Sequence, residues 1–251
     1  MTRYKDIEKK IYKGLQYTCI DAINFNGMFD SKIKPEYLIT INIAKAISEL
    51  NFYPGSPFLI RLEEKTTDFA TKCVPNIAWE EIFAPTIFRT AKNTNRNGRF
   101  DIAIYEDEIE KPLTAIEVKL INPRKEAIKD DIIRLSELLY LTDKNTGDSK
   151  IKCSYFACIE LNENIKFLKN TSANSKNVKS KYKVWLKEIL NVGSLENDNH
   201  SKTKFEIATL SINNSLLLSP EKRTKDDIFD GDLYAQAKHF LGVIIRLTKI
   251  T

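Results

Sequence analysis

Near the start of the chain, apolar residues recur at four-residue steps, Ile7, Ile11, Leu15, Cys19 and Ile23, among lysines, glutamates and tyrosines. That step keeps them on one helical face, so a helix is expected over about the first 25 residues. Asn24-Phe-Asn-Gly27 ends it, and Pro35 suits the first turn of a second helix running to about Leu50. Phe58-Leu-Ile-Arg-Leu62, after Pro54 and Pro57, reads as a strand. Between Lys65 and Asn97 the pattern supports only a short helix and a strand near Thr86–Thr90. From Arg99 the period becomes two: Arg99–Tyr105 and Leu113–Ile121 alternate on either side of the acidic segment Glu106–Pro112, a hairpin signature. Lys125 to about Leu141 is an amphipathic helix carrying Ile128, Ile132, Leu135, Leu138 and Leu139, and the apolar run Ile151–Ile159 reads as a buried strand. A lysine-rich polar stretch, Asn162 to Lys183, is expected to lead into a short helix around Trp185–Leu190. A strand at Phe205–Ile212 and a long closing helix at Asp226–Thr248 complete the chain. Nothing repeats internally and no low-complexity linker interrupts it, so residues 1–251 are expected to form a single α/β domain.

Composition narrows the chemistry. No stretch approaches the roughly 18 consecutive apolar residues of a membrane span, and the N-terminus lacks the apolar core of a secretory signal, so a soluble, cytoplasmic protein is expected. Cys19, Cys73, Cys153 and Cys158 are scattered, and with only His200 and His239 beside them no zinc constellation has recognisable spacing. Buried, reduced thiols are expected instead. Scarce histidine argues against His-activated nucleophiles and leaves carboxylates and lysines to do any chemistry. The net charge of +5 tilts the chain modestly toward an anionic partner.

The informative segment is Arg99-Phe-Asp101-Ile-Ala-Ile-Tyr with Ala115-Ile-Glu117-Val-Lys119-Leu-Ile. Alternation puts Phe100, Ile102 and Ile104 on one face of the first strand and Asp101 on the other; in the second, Glu117 and Lys119 lie opposite Ile116, Val118 and Leu120. A hairpin closing around Ile109 pairs residues whose numbers sum to about 218, which sets Asp101 across from Glu117. Facing carboxylates repel. A hard divalent cation resolves this: Mg²⁺, with Mn²⁺ as a substitute, takes one or two carboxylates plus phosphate oxygens. Lys119 projects into the same space, where it can orient a water or offset developing charge. The alternative is a solvated hairpin face, with Lys119 in a surface ion pair worth about 0–1 kcal/mol.

Asp101, Glu117-Val-Lys119 and the elements around them resemble the PD-(D/E)XK nuclease superfamily, with its restriction-endonuclease-like fold. The resemblance covers about residues 35–160: the helix from Pro35, strands at Phe58–Leu62, Arg99–Tyr105 and Leu113–Ile121, the helix from Lys125, and the strand Ile151–Ile159. It implies a mixed β-sheet core flanked by helices, an αβββαβ core with N- and C-terminal additions, the latter from about 161 to 251. Phe100 stands where the family's leading proline would be. By the resemblance Asp101 and Glu117 ligate the metal, Lys119 assists the attacking water, and Glu36 in the first helix is the candidate to complete the shell. Glu49, Glu63, Glu64, Glu80 and Glu81 are alternatives to Glu36, which the helix dipole alone would also explain. Arg134 falls where relatives carry a further polar or basic residue, although an i,i+4 partnership with Asp130 explains it nearly as well. Arg96 and Arg99 are placed to meet a phosphate. Lys166, Lys169, Lys176, Lys179, Lys181 and Lys183, with Tyr182 and Trp185, form either a nucleic-acid patch or a solvated face. His239 is read as a packed or surface histidine on the closing helix, whose Leu233, Phe240, Leu241, Ile244 and Ile245 suit core packing or a dimer face.

The expectation is therefore a metal-dependent endonuclease that hydrolyses DNA phosphodiester bonds, in a restriction or phage-defence setting, with a homodimer or a regulatory subunit as its assembly. A partner-gated nuclease subunit and a non-cleaving nucleic-acid-binding protein of the same fold are the alternatives.

Overall fold

The computed structural model describes residues 2–26, 35–52, 58–74, 98–106, 110–143, 147–162, 167–192, 203–212 and 239–250. Helix α1 (Thr2–Asn26) buries Ile7, Ile11, Leu15 and Cys19, the four-residue series read from the sequence. It packs on α2 (Pro35–Ser48), which continues into a 3₁₀ turn at Glu49–Phe52. Their close approach depends on Gly14: a Cβ there would lie 2.4 Å from the Ile43 Cα, so any larger residue would force the helices apart.

Strand β1 (Phe58–Lys65) is followed by α3 (Thr66–Cys73), then β2 (Arg99–Glu106) and β3 (Lys111–Val118). Helix α4 (Lys125–Leu139), the short strands β4 (Thr142–Asp143) and β5 (Gly147–Asp148), and β6 (Cys153–Asn162) come next. Helix α5 (Phe167–Val192) precedes β7 (Thr203–Ser211) and β8 (His239–Lys249). Six strands form one mixed sheet in the order β1-β2-β3-β6-β8-β7, with β3 and β6 parallel and every other pair antiparallel. Two cores flank it. One lies against α1 and α2 and takes Ile102, Ile104, Ile116, Val118, Tyr155 and Ile244; the other lies against α3, α4 and α5 and takes Ala103, Tyr105, Ala115, Phe156, Val243 and Ile245. The protein is thus α/β, a six-stranded mixed sheet flanked by helices. None of the described helices is long and apolar enough to cross a membrane.

Several expectations are corrected. The end of the chain read as a long helix from Asp226 to Thr248; His239–Lys249 is instead β8, lying between β6 and β7 inside the sheet. Phe-Leu-Gly-Val-Ile-Ile places Phe240 and Ile244 in one core and Leu241, Val243 and Ile245 in the other. A strand buried on both faces loses its alternation, and the resulting run also satisfies helical spacing. Gly242 sits where Leu15 and Tyr12 of α1 cross the strand, leaving 3.0 Å between the Leu15 Cδ1 and an added Cβ. The lysine-rich stretch and short helix merge into one α5 of 26 residues. Residues 86–90 lie outside the described residues. All four cysteines are buried and free, as expected.

Candidate active site

The hairpin register follows the expected sum of 218 at Ile102↔Ile116, Ala103↔Ala115 and Ile104↔Thr114, before a bulge at Ile104/Tyr105 shifts it. Beyond Ile102 the ladder stops, and the Asp101 carboxylate takes over the backbone group opposite: Oδ2 accepts the Val118 N–H at 2.6 Å. The opposing residue of β1, Glu63, has φ 53°. The distortion also changes a face. Phe100 was expected beside Ile102 and Ile104, but it joins the other core, edge-on to Phe69 at 5.5 Å and under the Arg134 guanidinium at 5.7 Å. Strand β3 likewise ends at Val118, so Lys119 lies one residue past it, its N–H donated to the Ala157 carbonyl of the parallel neighbour β6.

Six charged side chains meet around this end of the sheet. Glu117 projects toward α4 and is buried. Arg134 of α4 binds it through Nε at 2.8 Å and a terminal nitrogen at 2.6 Å, and the same nitrogen meets Asp131 at 2.5 Å. The Lys119 ammonium stands 3.0 Å from Asp131 and 3.3 Å from Glu36. Glu36 comes from α2 on one face and Asp131 from α4 on the other, so Lys119 joins the two layers around the sheet's end. Asp101 interacts with Glu117, Lys119 and Glu36.

The electrostatics follow from burial. Burial raises the Glu117 carboxyl well above its ordinary range, the Asp131 charge adds to this, and Arg134 pulls the other way. Asp101 is pushed up to about 6, first by burial, against the Val118 N–H and the Glu117 carboxyl, which lower it. Burial works to lower the Lys119 ammonium, yet Asp131 and Glu36 outweigh it and hold it above its ordinary value.

The structure thus brings together Asp101, Glu117, Lys119, Glu36 and Arg134. Two described rivals of Glu36 are engaged elsewhere: Glu49 binds Lys10 and Lys13, and Glu64 accepts from Tyr105 at 2.6 Å. Glu80, Glu81 and Arg96 lie outside the described residues. Arg99 is exposed beside Asp101 and donates to the Glu63 carbonyl at 2.7 Å. Arg134 pairs with Asp131 and Glu117 rather than with Asp130, which is exposed. Asp131 is the residue the sequence reading missed. The signal was present: it falls three residues after Ile128 and four before Leu135, inside the apolar stripe of α4.

The proposed lysine patch resolves in part. Lys176, Lys179 and Lys183 are exposed on α5, whereas Lys181 binds Glu160 at 2.7 Å. Tyr182 is buried and also hydrogen-bonded to Glu160, so it belongs to the core and offers no stacking surface. Lys166 lies outside the described residues. His239 is buried between Asn174 at 2.9 Å and Ser211 at 3.2 Å, a packed residue of β8.

Among the described residues no three Asp, Glu, His or Cys side chains are grouped as a metal shell by themselves. Asp101 and Glu117 offer a pair of hard oxygen donors, which suits a cation that takes its remaining ligands from water and phosphate. Comparison with protein-family models, with curated proteins and with solved structures returned no match.

Proposed function

We propose that this chain is a metal-dependent endonuclease of the PD-(D/E)XK type, with a restriction-endonuclease-like fold, acting on DNA phosphodiester bonds. The observation that carries this reading is the meeting of Glu36, Asp101, Glu117 and Lys119, with Lys119 and Glu36 in contact although 83 positions apart. The order α2, β1, β2, β3, α4, β6 agrees with the αβββαβ core, with α3 inserted and β8 and β7 added beyond β6.

Charge supports the reading. Glu36, Asp101, Glu117 and Asp131 face Lys119 and Arg134, so four carboxylates against two cations leave two negative charges when all are ionised. Crowded, buried like charges are costly. The surplus equals one divalent cation, which Asp101 and Glu117 would hold with Glu36 at the rim. Bound there, Mg²⁺ or Mn²⁺ supplies a water of lowered pKa and neutralises charge on the phosphate. The chain's own groups do the rest. Asp131 and Glu36 fix the Lys119 ammonium in its charged form, ready to donate to the attacking water or to a phosphate oxygen. Arg99, exposed two residues before Asp101, offers a guanidinium to the DNA backbone.

The test is plasmid cleavage with Mg²⁺, Mn²⁺ or EDTA, run beside Glu117→Gln. Cutting that requires metal and disappears in the variant is the expected result; cutting in EDTA, or by the variant at the wild-type rate, overturns the reading. One contact favours a second reading, a nuclease subunit gated by a partner: Arg134 already engages the Glu117 carboxylate. On that reading cleavage appears only after a partner draws α4 away.

A further inference from the structure

At the turn end of the same hairpin lies a concavity of about 310 Å³ with the opposite electrostatic character. Among the described residues, Arg3, Lys111, Lys150 and Lys152 line it, with Glu106 as the one described carboxylate. Among the described lining residues, four cations against one carboxylate leave a surplus of three positive charges facing a common space. Like charges gathered in a hollow repel as the carboxylates at the other end do, and the ligand that relieves them is an anion.

The cations are held in place. Glu106 receives Arg3 at 2.6 Å and Lys111 at 3.1 Å, fixing one from α1 and one from β3. These two hold the Glu106 carboxyl below its ordinary value although burial opposes them. Lys150 and Lys152 come from the segment entering β6, which backbone bonds tie down: Ser149 N–H to the Leu141 carbonyl and Lys150 N–H to the Cys73 carbonyl, each 2.7 Å. Neither lysine forms an ion pair with a described carboxylate, and Lys152 is exposed. Tyr4 and Pro112 add an apolar wall.

We infer that this pocket binds a small anion carrying a diphosphate group, either free pyrophosphate or a nucleoside diphosphate. The surplus positive charge is matched by a diphosphate, since a terminal phosphate carries about −1.5 to −2 at neutral pH and the inner one about −1 more. The volume sits at the lower end of the roughly 300–1,000 Å³ range of small-molecule clefts. An arginine fork with lysine point charges is the donor set that recognises phosphate. This inference is independent of the nuclease reading, because the pocket shares no residue with the carboxylate group and needs no metal.

The experiment is calorimetric titration of the full chain with pyrophosphate and with a nucleoside diphosphate, in EDTA at low ionic strength. Wild type and the double variant Lys150→Ala/Lys152→Ala are compared. Saturable binding of at least one probe is expected, weakened by roughly tenfold or more in the double variant and by added salt. Equal affinity for both probes assigns recognition to the diphosphate alone; tighter nucleoside diphosphate adds a contact from the base to the wall at Tyr4. Absence of binding by either probe, unchanged affinity in the double variant, or binding of duplex DNA alone overturns the inference. Circular dichroism checks the fold, and if the double variant does not fold, the exposed Lys152→Glu is titrated instead with the same outcomes.

Discussion

The two ends of the β2–β3 hairpin carry charge on opposite principles. At the open end Glu117, Asp131 and Arg134 keep 2, 8 and 12% of their side-chain surface in solvent. At the turn end, about 17 Å away along the strand, Glu106, Arg3 and Lys111 keep 20, 46 and 51%. Water screens the second set, whose pairs are worth about 0–1 kcal/mol each. The first set has lost that screening, so every charge there depends on its partner and removing one strands another. One ladder therefore carries a high-stakes polar group at one end and an adjustable ionic rim at the other.

The sharpest way to break this comparison is Arg134→Ala. It leaves Glu117 and Asp131 buried without their guanidinium, and a loss of about 3–5 kcal/mol in denaturant unfolding is expected. A loss below about 1 kcal/mol would place the pair energetically with the surface rim. Next comes Glu117→Gln. Cleavage is expected to fall by roughly a thousandfold or more, equivalent to about 4 kcal/mol of barrier. Stability in EDTA should stay within about 1 kcal/mol of wild type, because the repulsion among Asp101, Glu117 and Asp131 falls as the Arg134 contact weakens. Asp101→Asn is expected to behave the same way; a variant that fails to fold would make the carboxylate a structural cap on Val118 rather than a ligand.

The two ends should also answer pH with opposite signs. Asp101 titrates at about 6 in the folded protein against an ordinary 3.8, so between those values the native state holds a proton that the unfolded chain has released. Stability from this group is complete below the lower value and is lost as pH rises through the upper one, on the order of 3 kcal/mol in all. Glu117, also raised, acts in the same direction. Glu106 is lowered, so its contribution is present above its ordinary value and is lost on acidification. Unfolding measured in EDTA from pH 4 to pH 7 should therefore show a decline in wild type that Asp101→Asn flattens. An unchanged slope in that variant would remove Asp101 from the titrating group.

What the sequence made legible was local and periodic. The register sum of 218, the nearness of the Asp101 and Glu117 carboxyls, and helix α2 with Glu36 at its start all followed from alternation and turn chemistry. What it concealed was set by neighbours distant in sequence. Strand β8 reads as a helix because both of its faces are buried by elements far away in the chain, α1 on one side and α4 and α5 on the other. Phe100 changed faces because the ladder ends at Asp101 and Phe69 waits on the other side. Asp131 looked like the neighbour of an exposed Asp130, and only its place in the α4 stripe marked it as inward. A polar residue on an otherwise apolar stripe is either a packing error or part of a site, and here it holds two cations.

The smallest expected effect closes the comparison. Lys111→Ala removes one of the two cations on Glu106, but Arg3 remains at 2.6 Å and the Lys111 side chain is half exposed. A loss of no more than about 1 kcal/mol is expected by denaturant unfolding. Raising the salt should shrink even that, since the exposed pair is screened within a Debye length of about 10 Å at 0.1 M. Arg134→Ala run in parallel should keep its full penalty at high salt, because the cost lies in burying Glu117 and Asp131 without a partner rather than in a screened attraction. If both penalties fall together with salt, the open end is wetter than its burial implies, and the contrast between the two ends of the hairpin dissolves.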